Sequence, residues 1–287
     1  MGMPEVLRPY QSDDYDAVLT LLRHAGRAHV HFDWQSPETF LEGSEIELCL
    51  GFAAGQLVAA AGVAEPIQAT AWLRLLAVDS GQSIGPTVRR LWRCLADRLH
   101  SRGVITVHIL LQDTWLLRAL QPLGAVPVDE VVAMRRDGMV ESGHAFHAPQ
   151  EVAIRPATAA DLPGVLRLDA EAFAPMWRLS SRELQAAWRL GDYFVVAEVH
   201  GTIAGYAIAM FHAGSGHLAR LAIAPAWQGR GIGAKLTQQV LGVFAMRGLT
   251  GATVNTQASN ASSQKLYLRA GFEFTGYRLP VLALPVA

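Results

Sequence analysis

The stretch LAIAPAWQGRGIGAKL, Leu221 to Leu236, decides how this chain is read. Its first residues form an apolar strand and Pro225 marks a turn. Three glycines, Gly229, Gly231 and Gly233, then follow at two-residue spacing where a helix should begin. Glycine adopts positive φ at no steric cost and lets backbone approach a ligand closely. The first N–H groups of a helix have no partner inside it, and together with the macrodipole they make an anion site. Several such groups in a row can wrap a pyrophosphate. Two other phosphate loops fail letter by letter. A dinucleotide fingerprint needs G-x-G-x-x-G, whereas this spacing is G-x-G-x-G. A Walker loop needs G-K-[ST], whereas Ala234 precedes Lys235 and Leu236 follows it.

Around this stretch the pattern alternates between strands and helices. EVAIRP is a short strand, and Thr158 with Asp161 three residues on caps a helix carrying Leu162, Val165, Leu166 and Leu168. Ser180 and Glu183 form a second capping box. YFVVAEV, a turn at His200-Gly201 and IAGYAIAMF read as a hairpin, and HLARLAIA is a third strand. A helix from about Gly233 to Arg247, the strand ATVNTQ, a short helix from Ala261 to Ala270 and the strand RLPVLAL complete the segment. Pro280 places that last strand at an edge or a bulge.

The same order occurs earlier in the chain. Leu7-Arg8-Pro9 with Asp14 matches Ile154-Arg155-Pro156 with Asp161, and LRALQPLGA (Leu117 to Ala125) matches the segment containing LYLRAGF, both at an offset of 147. GQLVAAAGVA (Gly55 to Ala64) matches GTIAGYAIA (Gly201 to Ala209) within a residue or two. Two copies of one α/β fold are therefore expected, over 1–141 and 152–287. The polar residues 142–151 between them read as a linker.

QGRGIGA follows a strand ending in Ile-Ala-Pro. About 30 residues later comes N-x-x-S-x-x-L-Y-x-x-x-G-F, formed by Asn260, Ser263, Leu266, Tyr267, Gly271 and Phe272. Together the two motifs resemble the GNAT superfamily of acetyl-CoA-dependent N-acetyltransferases. The tandem is similar in layout to mycothiol synthase and other double-GNAT enzymes. The resemblance implies two domains, each with a mixed, mostly antiparallel sheet flanked by helices. It also implies a ternary complex in which a primary amine attacks the thioester directly. The amides of Gln228, Gly229, Arg230, Gly231, Ile232, Gly233 and Ala234 would hold the CoA pyrophosphate, and Arg230 would add charge. Leu221, Ala222 and Ile223 would pair with the pantetheine arm like an added strand and polarise the acetyl carbonyl. Asn260 and Ser263 would contact that arm, and Tyr267 would protonate the leaving thiolate. The strand Leu218 to Ala224 carries no Glu, so the base stays open among His217, Glu198, Glu171 and a water relay. His217 is the first choice because imidazole is neutral near pH 7. AEAFAPMW (Ala170 to Trp177) falls where the family's first two helices border the acceptor pocket, so Phe173 and Trp177 either shape that pocket or belong to the core.

In the first copy the loop, VDSGQSIGPTV (Val78 to Val88), is shorter. It keeps only Gly81 and Gly85 and places Pro86 where the helix begins, removing one N–H. Asp113 stands in the Asn position and Leu120 in the Tyr position. Through residue 147 the chain has 12 basic and 17 acidic residues, and the remainder has 12 and 8. A polyanionic cosubstrate favours the second copy. The first is expected to be structural, without a productive acetyl-CoA site. His24, His29 and His31 lack the spacing of a metal site and read as a solvated helix end.

Whole-chain properties narrow the class further. The 287 residues are 51% hydrophobic with a net charge of −1, which excludes a disordered chain and argues against a nucleic-acid-coating one. Cys49 and Cys94 form no C-x-x-C pair, so no disulfide scaffold or structural metal is expected. No signal segment or run of eighteen apolar residues occurs, which suggests a cytoplasmic chain without a membrane partner. The acceptor is a small-molecule or peptide amine, and the chain is a monomer or homodimer. A non-catalytic acyl-CoA sensor is the rival class, and a protein N-terminal or ribosomal-protein acetyltransferase is the rival within enzymes.

Overall fold

The computed structural model describes residues 2–138 and 151–286. In chain order the elements begin with β1 (Val6–Pro9), α1 (Tyr15–His24), β2 (Arg27–Val30), α2 (Pro37–Leu41), β3 (Glu47–Ala53), β4 (Gln56–Val63) and β5 (Thr70–Val78). They continue with α3 (Ile84–Ser101), β6 (Thr106–Leu110), α4 (Thr114–Leu120), β7 (Val126–Asp137), β8 (Ala153–Pro156), α5 (Leu162–Ala172) and α6 (Ser181–Leu190). The last are β9 (Tyr193–Val199), β10 (Thr202–His212), β11 (Ser215–Ile223), α7 (Ile232–Met246), β12 (Gly251–Gln257), α8 (Ala261–Arg269) and β13 (Glu273–Pro285). No helix among the described residues is long and apolar enough to cross a membrane.

The chain divides into two compact units, Met1–Asp129 with Leu279–Ala287, and Glu130–Arg278. In the first unit the sheet runs β1-β3-β4-β5-β6, with β5 and β6 parallel and Val281–Pro285 of β13 antiparallel to β6. Its central strands are buried on both faces, so they read as continuous apolar runs. Ala59, Ala61 and Val63 of β4 pack with Leu91, Leu95 and Leu99 of α3, while Ala60 packs with Val18 of α1 and Phe40 of α2. In the second unit the order is β7-β12-β11-β10-β9-β8, with β11 and β12 parallel and the other pairs antiparallel. Leu236, Val240 and Phe244 of α7 close one face over Val195, Ala207 and Leu218. Each repeat of Arg-Pro with a later Asp is a strand-to-helix clamp. Arg8 holds both Asp14 oxygens at 2.6 Å, and Arg155 holds both Asp161 oxygens at 2.8 Å.

Three expectations are corrected. First, the compact units do not follow a cut at 141 and 152. All of Val131–Asp137 pairs with β12, and Val281–Pro285 pairs with β6, so the last strand of each sequence copy belongs largely to the other unit. An apolar strand pattern does not disclose its hydrogen-bonding partner. The expected linker lies outside the described residues except for Glu151. Second, Cys49 of β3 and Cys94 of α3 are joined in a disulfide with Cα atoms 6.4 Å apart. Third, His29 is on strand β2 rather than a solvated helix end and is 2% exposed. No group of three or more His, Cys, Asp or Glu among the described residues is arranged to hold a metal ion.

Burial, with His31 nearby, pushes the His29 imidazole down to about 4. The unfolded chain therefore takes up a proton between pH 6.5 and 4 that the folded chain refuses, and stability falls as pH drops through that window. The shift corresponds to roughly 3 kcal/mol at most. Urea unfolding across that range should show the loss, and His29→Leu should make the profile shallower by the His29 share, leaving the share of other imidazoles shifted down by burial, His217 among them. An unchanged profile in the variant would contradict this assignment.

Candidate active site

The second unit contains a fork in its sheet. β11 and β12 pair only from Ser215–Leu218 to Gly251–Val254, although β11 runs on to Ile223 and β12 to Gln257. The cause lies on the other side of β11. Against β10, Ile208 faces Arg220 but Ala209 faces Leu218, leaving Ala219 as an extra residue. Such a bulge bends its strand and increases its twist. Beyond it β11 stays paired with β10, and Ala224 N donates to Ala204 O at 2.9 Å. Backbone groups alternate in direction along an antiparallel strand. Ala222 therefore points toward β10, whereas the N–H groups of Leu221 and Ile223 point into the fork. The Ile223 carbonyl accepts from Gln228 Nε2 at 3.1 Å.

The fork opens into a cleft of about 1140 Å³. Its walls include Leu221, Ala222 and Ile223, the whole of Gln228–Ala234, and Asn260, Ser263, Lys265 and Arg269 from the α8 side. Gly229 and Gly231 have φ of 73° and 79°, a region in which a side chain is strained. Gly231 is the N-cap of α7, and the first helical bond runs from Lys235 N to Gly231 O at 3.0 Å. The N–H groups of Ile232, Gly233 and Ala234 precede that bond and lie along the cleft. Lys235 itself is turned away, with Nζ on the Val152 carbonyl at 2.6 Å. Arg230 stacks on Trp227 at 4.8 Å. Arg230, Lys265 and Arg269 bring three cations to the walls, and no carboxylate is among the described lining residues. The cleft therefore suits a polyanion with an extended arm. Every cosubstrate-contact residue read from the sequence lies here. Trp227, Lys265, Arg269, Ala172 and Phe173 also line the cleft. Lys265 and Arg269 were missed because they occupy variable letters of the Asn-to-Phe motif, although their i, i+4 spacing on α8 was a signal.

Asn260 has a local task. Its Oδ1 accepts from Ser263 N at 3.0 Å, capping α8, and its amide reaches Gln257 Oε1 at 3.4 Å. The two expected proton-transfer residues lie outside the cleft lining. Tyr267 is 4% exposed, edge-on to Phe272, and burial pushes its hydroxyl up, so it is protonated at neutral pH. His217 stands at the closed end of the fork, opposite Thr253, with Nδ1 and Thr253 Oγ1 2.8 Å apart. Burial, then nearby His212, pushes its imidazole down to about 4, so it is neutral at pH 7 but a weak base. Of the alternatives, Glu198 is bonded to Arg155 Nε at 2.9 Å.

The opposite face of β11 carries a buried cluster that sequence spacing did not show. Tyr206 hydroxyl donates to Asp169 Oδ2, and Arg220 Nε donates to the same oxygen at 2.9 Å. Arg220 Nη2 reaches Asp169 Oδ2 at 2.5 Å and the Trp177 carbonyl at 2.7 Å. Asp169 is 0% exposed, so breaking the pair would leave an uncompensated buried charge.

The first unit differs at the corresponding place. β5 and β6 pair in parallel only from Thr70–Trp72 to Thr106–His108. Past that point β2 lies antiparallel along the same side of β5, with Arg27–Val30 opposite Val78–Leu75. His31 N extends this contact to Arg74 O at 2.9 Å. In the shortened loop Gly81 N donates to Asp79 Oδ1 at 2.9 Å.

A substitution separates the loop's charge from its shape. A Cβ on Gly233 would meet Leu266 Cδ2 at 3.4 Å, an ordinary contact, and Gly233 does not need positive φ. Gly233→Ala should keep anion affinity within a few-fold, while Gly233→Asp should abolish it by charge repulsion with the fold intact. Titration with CoA checks both, and equal behaviour of the two variants would contradict an anion site at this helix start.

Residues 162–272 match the Acetyltransferase (GNAT) family. No curated protein matches the chain. Among solved structures, a GCN5-related N-acetyltransferase from Sphaerobacter thermophilus is 20% identical, with a TM-score of 0.59 over 99% of this chain and 97% of that one. A tandem GNAT protein from the clavulanic acid biosynthesis pathway is 14% identical, with a TM-score of 0.65 over 98% of each chain. A GCN5-related N-acetyltransferase from Kribbella flavida is 15% identical, with a TM-score of 0.67 over 97% of this chain and 70% of that one. The family match spans the fork, the glycine loop and α8, and full-length neighbours share the fold, so the second unit is similar to the GNAT acetyltransferases and the whole chain has the fold of tandem GNAT proteins.

Proposed function

We propose that the second unit transfers an acetyl group from acetyl-CoA to a primary amine by direct attack in a ternary complex. The observation that carries this reading is the coincidence, in one cleft, of an open backbone edge with a cation-lined glycine loop. The N–H groups of Gly229 to Ala234 and the Arg230 guanidinium receive the pyrophosphate, and Lys265 and Arg269 add positive charge on the α8 side. Leu221 and Ile223 offer strand-like hydrogen bonds to the pantetheine arm, and one of their N–H groups polarises the acyl carbonyl. The cosubstrate supplies an activated acyl thioester. The acceptor nitrogen forms the new C–N bond while the C–S bond breaks. The amine loses a proton on attack, for which His217, reached from outside the cleft lining through water, is proposed as the acceptor, and the departing thiolate takes a proton for which Tyr267, also behind the lining, is proposed as the source. The protonated state of Tyr267 suits that task. The acceptor is a small-molecule or peptide amine. We place the reaction in the cytoplasm, where acyl-CoA thioesters are abundant, and it makes no use of the Cys49–Cys94 bond.

The first unit, on this reading, binds no acetyl-CoA. β2 takes the side of β5 that corresponds to the open side of β11, and Asp79 consumes a loop N–H. Calorimetric titration with acetyl-CoA should therefore give one site per chain. Two sites would refute the closed first unit, and none would refute the acyl-CoA reading. Tyr267→Phe should lower turnover by about 10- to 100-fold, read as CoA release with an accepted amine, while leaving acetyl-CoA affinity nearly unchanged. Wild-type turnover across pH would remove Tyr267 from the mechanism.

A further inference from the structure

We propose that Phe173 closes the acyl end of the cleft and restricts the enzyme to short acyl groups, held in place by the Asp169–Tyr206–Arg220 cluster. This rests on the acyl-CoA reading above and fixes a property which that reading leaves open.

The direction of the cleft follows from β11. The glycine loop begins just past Ile223, so an arm leaving the loop passes Ile223 first and Leu221 next, toward Arg220. At that far end the cleft is lined by Ala172 and Phe173, at the end of α5. The Arg220 guanidinium lies 4.0 Å from the centre of the Phe173 ring. The backbone of Phe173 is fixed on both sides, with its N–H on Asp169 O at 3.1 Å and its carbonyl receiving Arg178 Nε at 2.9 Å. Leu179 N donates to Asp169 Oδ1 at 2.8 Å, and Arg220 holds the Trp177 carbonyl, so the turn after Phe173 is tied to the same buried carboxylate. A ring set on a buried ion pair has little freedom to move aside for a longer chain. The arrangement makes Phe173 a rigid stop rather than an adaptable apolar wall.

The test is calorimetric titration of the full chain with acetyl-, butyryl- and hexanoyl-CoA, which needs no knowledge of the acceptor. Wild type should bind hexanoyl-CoA at least about tenfold more weakly than acetyl-CoA, and Phe173→Ala should bring the ratio to within about threefold. Phe173→Leu provides a second, milder opening of the same wall, with an intermediate ratio expected. A wild-type chain that binds all three equally, or variants that keep its ratio, would overturn the stop. A wild-type chain that binds no CoA thioester would overturn the acyl-CoA reading and this inference with it, a result distinct from loss of selectivity.

Discussion

The early end of the pairing between β11 and β12 is the constraint on which the site depends. A strand inside a sheet needs partners for its N–H and C=O groups on both sides, because an unpaired buried backbone group costs about as much as a lost hydrogen bond. One extra residue, Ala219, turns β11 away after Leu218 and leaves the amides of Leu221 and Ile223 directed into a cleft. The glycine loop lies at the mouth of that fork because it is the continuation of the same strand. Gly229 and Gly231 make the turn into α7 and present the helix's first N–H groups to the same space. One irregularity in pairing thus places an open strand edge and an anion site in register.

The first unit shows the same requirement met from within the chain. Its parallel pairing likewise stops early, after three pairs rather than four, but β2 supplies the missing hydrogen-bond partners to Leu75–Val78. The shortened loop and β2 act in the same direction. Pro86 lies in the first turn of α3 and removes an N–H, while Asp79 brings a carboxylate to a loop whose counterpart in the other unit carries Arg230. The loss of charge complementarity and the loss of an open edge reinforce each other.

Much of this was legible in the sequence because it depends on local rules. Thr158 with Asp161 and Ser180 with Glu183 mark helix starts, and the capping boxes are present as read. The glycine spacing located the α7 start, and the 147-residue offset revealed the duplication. What escaped depends on residues far apart in the chain. Arg220 meets Asp169 across 51 positions, and Cys49 meets Cys94 across 45. No periodicity marks such contacts. The unit boundaries escaped because strand pairing follows register in space, so β7 and β13 carry no letter that names their partners. His29 was misread because a histidine in a polar-looking run gave no sign that the run is a strand laid against β5.

Amide hydrogen exchange with and without acetyl-CoA tests the central claim most directly. The account predicts new protection at Leu221 and Ile223 and at Ile232 to Ala234, with no change along Leu75–Val78, whose edge is already occupied by β2, or along the shortened loop Asp79–Ile84. Protection in the first unit, or none at Leu221 and Ile223 under saturating acetyl-CoA, would contradict it.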